Sequence, residues 1–348
     1  MSTTYATARQ VAVSSIPVID IAPLQNNTHA DLASVGAQMR EAVEDIGFFY
    51  VKNHSVDLAL IERVNILAHQ FFAQPLTSKL QVEPQGRHRG YLKIGEAKMS
   101  AKAKADLKES FIWGIDVPED DADYLAGNPM IGPNRWPAFM PELRPALNAY
   151  MDACHVCAQR SLRALAVSLT ADEDTFVRRV TKPISRGALV YYPPQPPDAG
   201  EQQFGVAPHT DYGVITLLHQ DMVGGLQVFN RQREWVTAHP IAGTLVINSG
   251  DLLGRWSNDH FRSNSHRVVN SSGRERLSIA MFVDPDFDTP IVPVTAPGEA
   301  AHYPEVSCGD YIAARFDKSF AYRQKRDLNL PGSRPANDQP ACWFACSQ

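Results

Sequence analysis

Two histidines and one aspartate have the residue types and spacing to hold a metal. In the segment APHTDYGVITLL, His209 and Asp211 lie two apart, ahead of a β-rich run. Residues i and i+2 of an extended strand share a face, so one imidazole and one carboxylate are expected to converge on a single point. A second imidazole, His266, follows much later in SNSHRVVN. Two histidines and a carboxylate on one face of a metal leave the opposite face open, which suits iron(II) centres that must admit both a substrate and dioxygen. Zinc takes the same donors with water as a fourth ligand. The three residues alone therefore leave a zinc hydrolase open.

The remaining histidines read differently. His219 and Asp221 repeat the spacing, but His219 ends an apolar run and Asp221 opens the turn DMVGG. His54, after FFYV, is a strand-end histidine, and His239 and His260 read as surface residues. Beyond His266, Arg276 and Ser278 share a strand face by the same period of two. A guanidinium grips a carboxylate with two parallel hydrogen bonds, and a hydroxyl adds a third. An arginine on a core strand is costly unless an anion meets it. The pair is the expected anchor for the far carboxylate of a dicarboxylate such as 2-oxoglutarate. The alternative is an arginine paired to a structural aspartate.

Elements must position these groups. Apolar residues at helical period predict helices over 31–45, 57–72, roughly 141–170 and again near 309–323. Gly47 and Pro75 end the first two. Strands are expected at 16–21 and 48–51. After residue 185, short β-rich runs such as ALVYY, VITLLHQ, LQVF, TLVINS and RLSIAMFV alternate with turn clusters. Many short strands at close spacing point to a sandwich or barrel rather than βαβ units. The reading is a mainly β chain with flanking helices, one globular unit over 1–348.

Composition narrows the partners. Net charge is −5, with no basic excess, so nucleic acid is not an expected partner. No stretch approaches the ~20 apolar residues of a membrane-spanning helix, and the N-terminus has no secretory h-region. The five cysteines are an odd number in a large chain, which argues against a disulfide framework. A reducing cytoplasm is the expected compartment. Cys154 and Cys157 fall at helical spacing inside an apolar stripe and read as packed residues rather than a redox or zinc motif. Cys342 and Cys346 have no partner at zinc-motif spacing.

Taken together, these segments resemble the isopenicillin N synthase-like family of 2-oxoglutarate/Fe(II)-dependent oxygenases. The matching pieces are IPVIDIAPL, GFFYVKNH, FFAQP, RGY, DLKESFIWG, VYYPP, HTD, GGLQV, NSGDLLGRWSN, SNSHRVV and RLS, in family order from about residue 16 to 285. The resemblance implies a double-stranded β-helix, or jelly roll, with an N-terminal oxygenase region at 16–140, a core at 185–285 and a C-terminal helical extension at 286–348. It implies His209, Asp211 and His266 as ligands of Fe(2+), Arg276 and Ser278 as partners of 2-oxoglutarate, and Tyr192 as a further contact to its carboxylate. It also implies reaction with O2, release of succinate and carbon dioxide, and hydroxylation, desaturation or ring closure of a small-molecule substrate. Val190 stands where plant members commonly carry asparagine, which weakens the transfer of a plant substrate.

Candidate substrate residues are Phe282, in phase with Ser278, and Arg89 and Tyr91. Arg89 forms a polar cluster with Arg87 and His88, just ahead of Tyr91, that either covers the barrel mouth and binds an anionic substrate or is a solvated loop. Lys108 and Glu109 read as fold-shaping residues. Two other functions remain in view on sequence alone: an iron(II) oxidase or cyclase that takes no 2-oxoglutarate, and a non-catalytic small-molecule binder on the same scaffold. Neither the substrate nor the oligomeric state is written in the sequence.

Overall fold

The computed structural model describes residues 6, 8, 16–84, 86–96, 104–196 and 200–319. Its strands are β1 (Val18–Asp20), β2 (Phe48–Lys52), β3 (Gly90–Leu92), β4 (Glu109–Gly114), β5 (Arg186–Tyr192), β6 (Val206–His209), β7 (Ile215–Gln220), β8 (Leu226–Phe229), β9 (Trp235–Thr237), β10 (Leu245–Ser249), β11 (His266–Val268) and β12 (Arg276–Val283). The larger sheet runs β1-β2-β10-β7-β12-β5-β4-β3, and the smaller runs β6-β11-β8-β9. Helices pack around them in a jelly roll with flanking helices, the fold class read from the sequence. The main helices are α1 (His29–Asp45), α2 (Leu58–Phe72), α3 (Leu76–Lys79), α4 (Ala122–Leu125), α5 (Leu143–Ser168), α6 (Asp251–Trp256) and α7 (Cys308–Ser319).

The helices follow their apolar stripes. Leu32, Val35, Met39 and Val43 are buried on α1, and Thr28 caps it by accepting from the Asp31 N–H. Gly47 turns the chain into β2 at φ +73, where a Cβ would meet the Arg262 carbonyl at 2.8 Å. Cys154 and Cys157 are free thiols buried in α5, as their spacing implies. Cys342, Cys346 and residues 320–323 lie outside the described residues. Among the described residues no helix is long and apolar enough to cross a membrane.

Register on the larger sheet decides what faces the interior. β12 pairs with β5, placing Arg276 opposite Tyr192, Ser278 opposite Val190 and Phe282 opposite Arg186. On its other side Ser278 meets Gln220 and Phe282 meets Thr216. Because side chains alternate, Arg276, Ser278 and Phe282 share one face with Tyr192, Arg186 and Thr216. One more strand across, Asn248 of β10 sits opposite Thr216.

Two sequence expectations need revision. The polar stretch around Gly90 holds the edge strand β3, paired antiparallel with β4. In addition, His209 closes β6, so Asp211 lies beyond the strand and not on a shared strand face. The turn after β6 brings the carboxylate back. It is tied by backbone bonds from Asp251 to the Asp211 carbonyl at 2.8 Å and from Leu252 to the Gly213 carbonyl at 3.0 Å. Gly213 is required there, because a Cβ would lie 2.0 Å from Asp284 Oδ1.

Asp284 in turn faces Arg186 at 3.3 Å, and both side chains are buried. Removing one partner of a buried pair leaves an uncompensated charge. We therefore expect Arg186→Met to lower stability by about 3–5 kcal/mol, read as a fall in the urea midpoint. The double change Arg186→Met with Asp284→Asn should recover much of the loss, and an unchanged midpoint in the single variant would contradict the pairing.

Candidate metal centre

The ligand atoms of His209, Asp211 and His266 lie within 4.8 Å of one another. The two histidines face each other directly across the β6–β11 pair. Their Nε2 atoms stand 3.8 Å and 3.7 Å from Asp211 Oδ1. The opposite ring nitrogens are engaged elsewhere: His209 Nδ1 donates to the Ala207 carbonyl at 2.8 Å, and His266 Nδ1 points at the Asn264 carbonyl at 3.3 Å. Assigning the proton to Nδ1 leaves each Nε2 lone pair free for a metal. Phe48 holds the His266 ring edge-on at 5.3 Å.

Asp211 is held just as firmly. Its Oδ2 accepts from Thr216 Oγ1 at 2.6 Å and Asn248 Nδ2 at 2.7 Å. With Oδ2 occupied, Oδ1 is the oxygen that points between the histidines. Burial opposes charge on Asp211, but the two imidazoles and these two hydrogen bonds outweigh it, so the carboxyl sits below its usual pKa. Burial, and then the neighbouring His266, push His209 down to about 3. Its ring is therefore neutral at ordinary pH, the form that ligates. Two imidazole nitrogens and one carboxylate oxygen, fixed on one side, form a donor set that fits iron(II).

The anion site lies on the same interior. Arg276 is fully buried. Its Nε donates to the Gly224 carbonyl at 2.6 Å, and Nη2 reaches Gln220 Oε1 only at 3.5 Å. Nη1 is buried with no hydrogen-bond partner among the described residues. Among the described residues no aspartate or glutamate forms an ion pair with it, which speaks against the structural-pair alternative. A buried guanidinium with idle donors is costly, and it fits an incoming carboxylate such as that of 2-oxoglutarate. The Tyr192 ring lies 4.6 Å from its centre, and Ser278 is buried on the same face.

The cavity above the metal ligands is lined by Ser110, Ile112, Arg186, Tyr212, Phe282 and Phe316, among others, together with His209 and Asp211. Phe282 reaches it, as its strand phase implied. Arg89 and Tyr91 do not line it. The Arg89 guanidinium is buried against carbonyls of Arg87, His88 and Met130 at 2.9–3.3 Å. The Tyr91 hydroxyl donates to Glu109 at 2.5 Å, beside Lys79. From that cluster it is His88 that lines the cavity, and Lys108 does too. His219 is paired with Asn65 at 3.1 Å and stays apart from the metal ligands. Sequence reading missed Thr216, Asn248 and Arg186. A polar residue at an inward strand position was the available signal in each case.

Comparison with known proteins points the same way. Residues 16–139 match the family described as non-haem dioxygenase in morphine synthesis N-terminal, and residues 185–285 match the 2OG-Fe(II) oxygenase superfamily. The chain is 34% identical to a 2-oxoglutarate-Fe(II) type oxidoreductase hxnY of Emericella nidulans, over 91% of this chain and 95% of that one. It is 33% identical to a homoarginine-6-hydroxylase of Oryza sativa, covering 88% and 98% of the two chains. Among solved structures, full-length Neurospora crassa T7H in complex with alpha-KG and thymine superposes with a TM-score of 0.76, at 30% identity, over 87% of this chain and 96% of the other.

Two outcomes are expected. Asn248→Leu and Thr216→Val free Oδ2 and should each weaken Mn(II) binding by about 10–100-fold, as read by titration calorimetry. Unchanged affinity would remove the clamp from the account. The second concerns pH. Between the ordinary histidine value of 6.5 and about 3, the unfolded chain binds a proton at position 209 that the folded, metal-free chain does not. Stability should therefore fall as pH drops through that window. His209→Gln should shallow the fall, measured as urea midpoints at neutral and mildly acidic pH, and an identical slope would contradict it.

Proposed function

The chain belongs to the 2-oxoglutarate/Fe(II) oxygenase superfamily, in its isopenicillin N synthase-like branch, and from that premise we propose how its own residues carry the chemistry. It is a 2-oxoglutarate-dependent non-haem iron(II) dioxygenase acting on a small molecule. His209, Asp211 and His266 hold the iron. Arg276 and Ser278 receive the far carboxylate of 2-oxoglutarate, with the Tyr192 ring alongside the guanidinium. The idle, buried Nη1 of Arg276 is the observation that carries this assignment. When bound, iron(II) with 2-oxoglutarate activates dioxygen, releases succinate and carbon dioxide, and supplies the oxidant for a substrate C–H bond.

The protein supplies geometry and a dry wall. Nδ1 hydrogen bonds fix both imidazoles, and Thr216 and Asn248 fix the carboxylate. Ile112, Phe282 and Phe316 exclude water from the cavity beside them. Arg186 faces that cavity between Phe282 and Phe316, at 5.6 Å and 4.6 Å from the two rings. Asp284 balances its charge, so Arg186 offers hydrogen-bond donors without a net positive field. Aromatic walls and a neutralised donor suit a small, planar, carbonyl-bearing substrate. The thymine complex of the T7H neighbour supports this class. Hydroxylation of such a ring or its substituent is the proposed outcome.

The test is succinate release from 2-oxoglutarate with iron(II), run with thymine, uracil and nicotinamide against arginine and homoarginine. A planar carbonyl compound should raise turnover well above the rate without it, and His209→Ala should abolish it. Arg276→Leu should raise the KM for 2-oxoglutarate on the order of 100-fold, the effect of losing about 3 kcal/mol of charge-assisted hydrogen bonding. Turnover persisting in His209→Ala would overturn the metal assignment. Stimulation by the cationic amino acids alone would overturn the substrate class.

A further inference from the structure

The C-terminal helix α7 meets the metal-ligand turn through the Asp251 carboxylate and, beside it, through Tyr212. Asp251, the first residue of α6, accepts at Oδ2 from Thr210 Oγ1 at 3.1 Å. Thr210 stands between His209 and Asp211 in sequence. The same Oδ2 accepts from Arg315 Nη2 of α7 at 2.7 Å. The backbone N–H of Asp251 donates to the Asp211 carbonyl at 2.8 Å. The Asp251 side chain thus bridges Thr210 of the turn and Arg315 of α7, while its backbone N–H holds the carbonyl of a metal ligand.

A second strand of contacts runs beside it. The Arg315 guanidinium lies over the Tyr212 ring at 4.5 Å, and the Tyr212 hydroxyl meets Ser319 Oγ at 2.5 Å. The next residue on α7, Phe316, lines the substrate cavity and stacks against His88 and the Arg186 guanidinium, at 4.7 Å and 4.6 Å. Both members of the Asp251–Arg315 pair are mostly shielded, with side chains 15% and 23% exposed. Water therefore screens the contact less than it would a surface pair.

We propose that Asp251 and Arg315 are positioning residues that couple the metal-ligand turn to α7, so that filling the metal site and closing the substrate cavity reinforce each other. The reasoning is one of linkage. A metal bound by His209 and Asp211 fixes the turn, and the fixed turn presents Thr210, Asp251 and Tyr212 to α7 in one arrangement. Coupling between two sites is reciprocal, so a docked α7 must favour metal binding by the same factor. The proposal rests on the metal assignment above.

The test uses the full chain and Mn(II) alone, a divalent ion that takes the same donor types without oxidising. Amide hydrogen exchange over 308–319 is compared with and without the ion, with α5 as the internal reference, and Mn(II) affinity is measured by calorimetry. In the unaltered protein, Mn(II) should slow exchange across α7 by at least about fivefold, the low end of usual coupling. Arg315→Met removes the contacts to Asp251 and Tyr212 at the helix, and Thr210→Val removes the hydroxyl bond to Asp251 at the turn while keeping the residue's size. Arg315→Met should bring the ratio to about one, Thr210→Val should lower it part of the way because Tyr212 and the Asp251 N–H still reach α7 and the turn, and both should weaken Mn(II) binding in proportion. Arg315→Lys retains a charge for Asp251 and should restore part of the protection.

A general loss of packing would speed α7 exchange equally with and without the ion, and would leave the ratio and the Mn(II) affinity unmoved. Protection of α7 that persists undiminished in either Arg315→Met or Thr210→Val overturns the proposal. So does Mn(II) binding without any protection in the unaltered chain. Failure of the unaltered chain to bind Mn(II) at all would instead defeat the metal assignment on which it rests.

Discussion

The two oxygens of Asp211 do different things, and the rest of the site depends on that division. Oδ1 points at the imidazoles of the smaller sheet, while Oδ2 is taken by Thr216 and Asn248 of the larger. The carboxylate therefore joins the sheets at the point where the metal donors converge. Neither sheet supplies the donor set alone. His209 and His266 are cross-strand neighbours on β6 and β11, but the third donor is aimed by residues from β7 and β10. Burial would protonate an unpaired carboxyl in this position, and the two neighbouring imidazoles, followed by the hydrogen bonds from the larger sheet, keep it charged.

A second constraint is the shared phase of β5 and β12. Arg276 and Arg186 both face the interior, at opposite ends of the register between the two strands. At about 3.3 Å per residue, the six steps between them span roughly 20 Å, so one small dicarboxylate cannot serve both. Their surroundings differ accordingly. Arg276 keeps a donor without a partner, whereas Arg186 is balanced by Asp284 and flanked by aromatic rings. One guanidinium is left to meet an anion from outside the chain. The other has its anion built in, and contributes shape and hydrogen bonding to the cavity wall.

What was legible in the sequence follows from periodicity. Arg276, Ser278 and Phe282 lie on one strand, and a period of two placed them together before any fold was known. A sandwich or barrel was legible in the run of short strands, while the jelly roll came from the family resemblance, as did support for His266 in its family-like segment. Other features depended on chain reversal. Asp211 reaches the histidines because Gly213 and the backbone of α6 fold the turn back, and no local pattern encodes that path. Phe316 arrives from α7, near the far end of the described chain. Arg89 was misleading because its guanidinium turns onto neighbouring carbonyls, a choice set by backbone that only the fold brings within reach. Arg186 could have been found: it shares the strand face of Tyr192, where a buried cation calls for an explanation.

The central claim is that His209, Asp211 and His266 assemble an iron(II) site beside a 2-oxoglutarate anchor built on Arg276. Anaerobic titration of the purified protein with iron(II) and 2-oxoglutarate tests it directly, because chelation of the metal by the keto acid gives a visible metal-to-ligand charge-transfer absorption. The account predicts that this band appears with one equivalent of each, is absent from His266→Ala, and needs far more 2-oxoglutarate in Arg276→Leu. A band that forms unchanged in His266→Ala, or none in the unaltered protein, would contradict it.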